Sequence, residues 1–526
     1  MNNSVKTLIV ILFVVFTANN LTAEEWVNFN DNTQSQPEIT VLSSDNNHTI
    51  IKCEITGMLK DIVFANEENW DKLYFNTATA VGYSGEPLVP RIWKKIAIPS
   101  DSDVQVNILS SEYITLSNYN VYPFQQVIGD EIPTFQQDMN IYNQNEFYPE
   151  NIISISEPMI MRDYRIVQIE ISPIHYNPVT HQIKAYTQIE IELVYSGHNN
   201  INILTNTRDV IPERVASMYK SSILNYDSVS KGIRDDTHKR ILFIGKEIYT
   251  DCLPELIEWE RKKGYYVDIY DPFSIGASSA EEIKDYITDY YNDYSSTWDI
   301  YVILIGDIPY GIMLETQQYE PQEYFSSDHY YSMLTGDDYL PEISVGRISR
   351  RDSVDYNHAT PLNYEEIFHN YAHKVVQYET SPYQIQEDWF NNIVFAASRI
   401  VNPGDELFEV CKDESDDFID PSQYTINYQY GEDGATNSSL ISALDDGCII
   451  WNFAAHGQND CWRLWSAPPI MNFSHEQVYS LQNSGIPVVY SLSCYTALVE
   501  VTNHICLGEM LLNKDSSGAI AFLGFT

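Results

Sequence analysis

Two apolar runs near the C-terminal end each stop on a reactive side chain, and they restrict the fold more than any other feature of the chain. Residues 448–455 (CIIWNFAA) lead to His456, and residues 487–493 (PVVYSLS) lead to Cys494. Both have the length, β-branched content and continuous apolarity of strands buried on both faces of a parallel sheet. Such strands deliver the next residue to the sheet's carboxyl edge, where open α/β sheets gather ligands and reacting groups. Neighbouring strands would therefore bring His456 and Cys494 together, and a thiol facing an imidazole is a nucleophile with its base. Taken singly, each has a plainer reading, as a small buried hydrophobe or a satisfied structural histidine. The pairing at two strand ends is what argues for chemistry.

The surrounding sequence supports such a sheet. The runs KRILFIGK, YYVDIYD and DIYVILIGD alternate with helical patterns around residues 253–263 and 280–293. NIVFAAS, YTINYQY, a helical stretch near 438–445, the two runs above and GAIAFLGF form a second round. Strands alternating with helices predict parallel βαβ units, hence an α/β region of two parallel-sheet subdomains, residues 240–385 and 386–526. Residues 24–224 read instead as all-β. In TQIEIELVY, Ile189, Ile191 and Leu193 face one way and Glu190 and Glu192 the other, as on a half-solvated antiparallel sheet. GEPLVP (85–90) and PIHYNPVT (173–180) read as turns between strands. The polar stretch 225–239 reads as a linker open to proteolysis.

Charge narrows the function classes. With 74 acidic against 30 basic residues the chain carries −44, a balance that repels nucleic acid and anionic membrane. The seven cysteines form no CxxC pair, and an odd count in an exported chain leaves at least one thiol unpaired. A metal protein using scattered His and Cys lacks ligand spacing. Residues 1–23, with Lys6 before the apolar run 8–16 and small residues around Ala18 and Ala23, have the layout of a secretory signal peptide cleaved after Ala23; an uncleaved N-terminal anchor is the alternative. No later stretch is long and apolar enough to span a bilayer, so a secreted or cell-surface chain is expected.

Several ordered motifs then carry a resemblance. Gly306–Asp307, SDHYY (327–331), GDDYLPE (336–342), VGRIS (345–349), the later HG, the Cys after a strand, and GEMLLNKDSSGAIAFLGFT (508–526) together resemble the gingipain-type cysteine peptidases. GEPLVP and PIHYNP resemble the β-rich propeptide of that family. The resemblance implies a caspase-like catalytic region behind an all-β propeptide domain, acting on protein or peptide substrates through a Cys494–His456 dyad and a thioester acyl-enzyme. By the same analogy the backbone N–H groups of Gly457 and Cys494 would form the oxyanion hole. A glycine there lets backbone approach substrate closely.

Arginine- and lysine-specific members place an acid in the pocket for the residue before the scissile bond, and Asp405 lies where it could supply one. Its other reading is the cap of a helix beginning at Glu406. Three positions depart from the family pattern: Ala455 and Ala497 stand where glycine is expected, and Arg399 where some members carry an acid. Lys231, Arg234 and Arg240 would be maturation sites if the enzyme cuts after basic residues, releasing its own propeptide. The reaction needs no cofactor. Acidic residues 413–420 (DESDDFID) and 336–338 (GDD) could hold structural calcium, or could be solvated loops. The family pattern also implies further sequence beyond Thr526. A secreted binding or adhesion module that keeps the peptidase fold is the competing function.

Overall fold

The computed structural model describes residues 25–30, 34–75, 82–125, 134–205, 207–234, 238–276, 279–306, 315–320, 323–349, 364–381, 388–399, 406–416, 418–463, 465, 471–499 and 505–525. Contacts divide the chain into two compact units, one formed by residues up to Lys94, Val104–Ser156 and Gln168–Val194, the other by Lys95–Asp103, Glu157–Val167 and Tyr195–Thr526.

The first unit is built of antiparallel strands. Gln182–Ser196 pairs with His48–Glu54 so that Ile189 faces Cys53 and Ile191 faces Ile51, all four buried. Glu190 and Glu192 alternate with them on the wetter face, as the period-2 pattern requires. One expectation fails here. PIHYNP is no turn, because Ile174–Asn177 is a fully buried strand paired with Gln182–Ser196. The turn lies in the next few residues, where Asn177 Oδ1 accepts from the amides of Val179 and Thr180 and His181 takes the left-handed φ of 52°.

The second unit holds two parallel sheets. The first comprises β1 (Lys239–Ile244), β2 (Tyr266–Tyr270), β3 (Asp299–Ile305) and β4 (Ser344–Ile348), in the order β2-β1-β3-β4. Helices α1 (Pro254–Lys262) and α2 (Ala280–Tyr294) follow β1 and β2. Pro254 opens α1, where its missing N–H costs nothing. Ser279 and Glu282 close a capping box on α2, satisfying amides the helix cannot bond itself. Ile283, Ile287 and Tyr291 then pack with Leu242, Val302 and Leu304 in one core. A helix absent from the sequence expectation, α3 (Tyr364–Thr380), packs Phe368 and Ala372 on the opposite core with Ile241 and Phe243.

The second sheet comprises β5 (Asn392–Ala397), β6 (Thr425–Tyr430), β7 (Ile450–Ala454), β8 (Val488–Leu492) and β9 (Ala521–Leu523), in the order β6-β5-β7-β8-β9, every pairing parallel. Helices α4 (Glu406–Asp416), α5 (Asn437–Asp445) and α6 (Leu507–Asn513) accompany it. Trp451, Phe453, Trp462 and Phe473 fill the centre of its core, with Phe453 and Trp462 stacked at 3.8 Å between centroids. Lys374 of α3 is buried and donates to the carbonyls of Leu512, Lys514 and Ser517 at 2.6, 3.0 and 3.3 Å, tying α3 to the end of α6. Burial pushes its ammonium pKa down to about 7.

No helix among the described residues is long and apolar enough to cross a membrane.

Candidate active site

The site follows from the register of β7 and β8. Ala454 lies opposite Leu492, the amide of Ala455 donates to Leu492 O at 3.3 Å, and Ser493 Oγ donates to Ala455 O at 2.7 Å. The backbones leaving the two strands are thus held together where His456 and Cys494 begin. Past that edge, His456–Gln458 folds back on Cys461–Arg463 as a small antiparallel pair, Gly457 opposite Trp462. Trp462 is fully buried and donates its indole N–H to Ser491 Oγ of β8 at 2.8 Å.

Gly457 is where the two segments meet most closely. A Cβ on it would lie 2.1 Å from Cys494 O and 2.7 Å from Cys494 N, distances no side chain tolerates. The chain after Cys494 turns at once: Tyr495 takes a left-handed φ of 61°, uncommon for a bulky residue and the kind of strain that collects at functional sites. Thr496 is fully buried, donates to Ser493 O at 3.1 Å and pairs with Ser491 Oγ at 2.9 Å, which fixes that turn.

Cys494 is exposed, and so is Cys411 on α4; the other five cysteines are buried, and all seven are free thiols. Burial pushes the thiols of Cys53, Cys448 and Cys461 up to about 12, and raises that of Cys506 well above its ordinary value. Those four are inert at neutral pH. The His456 ring is half-buried and meets the Phe408 ring of α4 edge-on, 5.5 Å between centroids at 87°.

Asp405 lies outside the described residues, as does Asp307. The described acidity at this end of the sheet comes from elsewhere. Arg399, just after β5, pairs with Glu432 at 3.7 Å. Glu409, next to Phe408, has its carboxyl pushed up by burial and by Asp433, Glu432 and Asp413. The GED triplet after YTINYQY was the available signal for this group, and sequence reasoning passed over it. Ala497 donates its amide to Phe525 O at 3.0 Å.

Within the expected open linker, residues 225–234 are folded instead. Gly232–Arg234 is a strand paired parallel with Val210–Pro212. Lys231 Nζ donates to Arg208 O at 2.7 Å, and burial lowers its ammonium pKa. Arg234 donates to Thr297 O. Arg240 cannot be cut in the folded protein, since it is a buried residue of β1, ion-paired to Asp268 at 2.9 Å and held over the rings of Tyr266, Tyr294 and Trp298.

Four carboxylates of the two acidic runs already accept from protein donors. Asp413 and Asp416 lie in α4 and accept from the hydroxyls of Tyr430 and Tyr428. Asp420 is occupied by Ser422 and Gln423, and Asp338 by the amides of Ile160 and Leu340. Among the described residues no three His, Cys, Asp or Glu converge as a metal set.

Fold and site together define an α/β protein in which an exposed Cys494 and a half-buried His456 follow neighbouring strands at the carboxyl edge of a parallel sheet. Residues 234–526 match the model of peptidase family C25 and residues 30–233 that of its propeptide; the chain belongs to this family. Two parallel sheets behind a strand-rich N-terminal region are the architecture expected of a caspase-like catalytic region with a β-rich propeptide. Gingipain R2 of Porphyromonas gingivalis (strain W83) is 22% identical over 504 residues, covering 92% of this chain and 63% of that protein. Lys-gingipain of strain ATCC 33277 is 24% identical over 478 residues, covering 85% and 25%. The chain thus spans less than two thirds of the length of these relatives. Among solved structures, the Arg-specific cysteine proteinase gingipain R matches with a TM-score of 0.44 at 19% identity, covering 55% of this chain and 63% of that one. The complex of Porphyromonas gingivalis RgpB pro- and mature domains matches with a TM-score of 0.33 at 23% identity, covering 36% and 100%.

Proposed function

We propose that the chain is a secreted cysteine endopeptidase made as a proenzyme, with Cys494 as nucleophile and His456 as acid and base. The observation that carries this reading is the backbone abutment of Gly457 on Cys494, which joins the two strand ends around the one exposed thiol at the sheet edge. In the proposed reaction His456 takes the Cys494 proton and the thiolate attacks the scissile carbonyl. The amides of Gly457 and Cys494 receive the oxyanion. His456 then gives its proton to the leaving amine, and a water, deprotonated by His456, releases the acid product from the thioester. No cofactor enters these steps.

A preference for a basic residue before the scissile bond is supported by Glu409 of α4, the helix whose Phe408 meets His456, with Glu432 and Asp433 around it, and, from the sequence alone, by Asp405. The propeptide match over residues 30–233 supports the chain's own propeptide as its first partner, with cleavage at Lys231 or Arg234 as the maturation step. Export rests on the layout of residues 1–23.

The test is hydrolysis of peptide amides with Arg, Lys or uncharged residues before the bond, by activated protein and its Cys494→Ala and His456→Ala variants. Loss of turnover by at least about 10³-fold in both variants is expected. Equal turnover by parent and variants, or none in folded mature protein, would favour a binding module instead.

A further inference from the structure

A buried charge cluster distant in sequence from the site joins the family's propeptide segment to its peptidase segment. The strands Met159–Met161 and Tyr164–Ile171 pair with Met161 opposite Tyr164, leaving Arg162 and Asp163 as a two-residue tip, with Arg162 left-handed at φ 54°. Asp163 receives Arg208 through Nε at 2.8 Å and a terminal nitrogen at 2.9 Å, and the Tyr219 hydroxyl at 2.7 Å. All of this lies before residue 234. Asp299, the first residue of β3, completes it from the peptidase side, taking Arg208 at 2.8 Å and Arg162 at 2.9 Å on Oδ1, with Arg214 3.6 Å from Oδ2. Its side chain is 1% exposed.

A second contact lies nearby in the chain. The GDD turn, one of the two suggested calcium sites, holds the same hairpin. Asp338 Oδ2 accepts from the Ile160 amide at 2.8 Å and from Asn202 Nδ2 at 3.2 Å, while Asn202 Oδ1 accepts from the Asp337 amide at 2.7 Å. Gly336, at φ 83°, leaves room for Asn202, whose Oδ1 a Cβ would approach to 3.0 Å.

We propose that Asp299 is the docking point at which the severed propeptide stays bound to the peptidase region, and that this hold works independently of the thiol–imidazole site. The proposal rests on residues before 234 being a propeptide. Asp299 opens β3, so it stands at the amino edge of the first sheet, whereas the proposed dyad stands at the carboxyl edge of the second. The buried guanidinium of Arg208, the largely buried one of Arg162 and the half-exposed one of Arg214 face two carboxylates. Neutralising Asp299 therefore leaves the positive charge of Arg162 and Arg208 under-compensated, the situation in which removing one partner of a buried pair is most damaging.

The test replaces residues 235–237 with the recognition sequence of a site-specific protease, cuts the purified protein there, and measures retention of the N-terminal piece by gel filtration and its Kd by re-association. The nicked parent should elute as one species. Asp299→Asn should raise the Kd by at least about 100-fold, and Arg162→Met by about tenfold. The double variant should be no weaker than Asp299→Asn alone, because both changes remove the same pair. Separation of the nicked parent, or a Kd in Asp299→Asn unchanged from the parent, overturns the proposal. If uncut Asp299→Asn fails to fold, a Kd for Arg162→Met within twofold of the parent overturns it instead. Alkylating Cys494 before nicking should leave retention unchanged; release on alkylation would mean that the hold runs through the active site. Retention is read without turnover, so a failed dyad assignment and a failed anchor give different results.

Discussion

Replacing Gly457 by alanine adds one carbon at the point where the site has least room. That carbon would stand 2.1 Å from Cys494 O and 2.7 Å from Cys494 N. Carbon against a carbonyl oxygen normally keeps about 3.3 Å, so the two segments must part by roughly 1 Å. Neither neighbour is a flexible side-chain tip. Both belong to backbone held by Ser493 Oγ on Ala455 O and by the buried Trp462 and Thr496. Overpacking of this kind costs about 1–3 kcal/mol of stability, a fall in Tm of only a few degrees for a region this large. The effect on catalysis is larger, because a displacement of about 1 Å in a reacting constellation can cost about 10²-fold in rate. Gly457→Ala should therefore lower kcat/KM on a peptide amide by about 100-fold or more while the protein stays folded. Gly346→Ala on β4, where an added Cβ meets nothing within 4 Å, is the matched control and should change stability by no more than about 0.5 kcal/mol. A Gly457→Ala enzyme with parental kcat/KM would refute the close approach and the oxyanion role built on it.

Other perturbations have equally definite outcomes. Lys374 is pushed down to about 7 by burial, so between about pH 7 and the ordinary lysine value near 10.4 the unfolded chain holds a proton that the folded chain has released. Stability should therefore rise with pH across that window. Lys374→Met should abolish the rise in a pH series of thermal melts and strip three carbonyls of a donor, at about 1–3 kcal/mol. Arg240→Ala should destabilise the fold by about 2–4 kcal/mol, read as a lower Tm, because it empties the ring box and leaves Asp268 without its partner. N-terminal sequencing of mature protein should not find a start at Ile241. Trp462→Ala removes a fully buried ring stacked on Phe453 and should cost about 3–5 kcal/mol in denaturant unfolding. Added calcium should leave Tm unchanged, since Asp413, Asp416 and Asp420 already have protein donors.

The second sheet was legible because each of its central strands carries its own burial signal. CIIWNFAA and PVVYSLS are apolar on both faces, and only a parallel sheet covered by helices accepts such runs. VGRIS was seen as a motif but missed as a strand. Gly346 and Arg347 interrupt its apolar pattern, and Arg347 is accommodated by Asp328, which pairs with it at 2.7 Å, and by Gly306 O. Helix α3 was missed for a similar reason: its buried face includes Lys374, whose partners lie more than a hundred residues downstream. Polar composition made residues 225–239 look free. The environment that buries Arg240 is supplied by Tyr266, Tyr294 and Trp298, which no local window shows. At the site, the placement of His456 and Cys494 was readable from strand ends. The contact of Phe408 with His456 and the group Glu409, Glu432 and Asp433 arise from the packing of α4 beside β5 and β6.

The central claim is that Cys494 is a nucleophile activated by His456. Mass spectrometry of folded, mature protein after exposure to peptidyl chloromethyl ketones, with Arg, Lys or uncharged residues before the warhead, tests it most directly. The account predicts a single adduct on Cys494, formed fastest with a basic warhead, absent in Cys494→Ala and strongly slowed in His456→Ala. Labelling at Cys411 alone, or at Cys494 with a rate indifferent to His456, would contradict it.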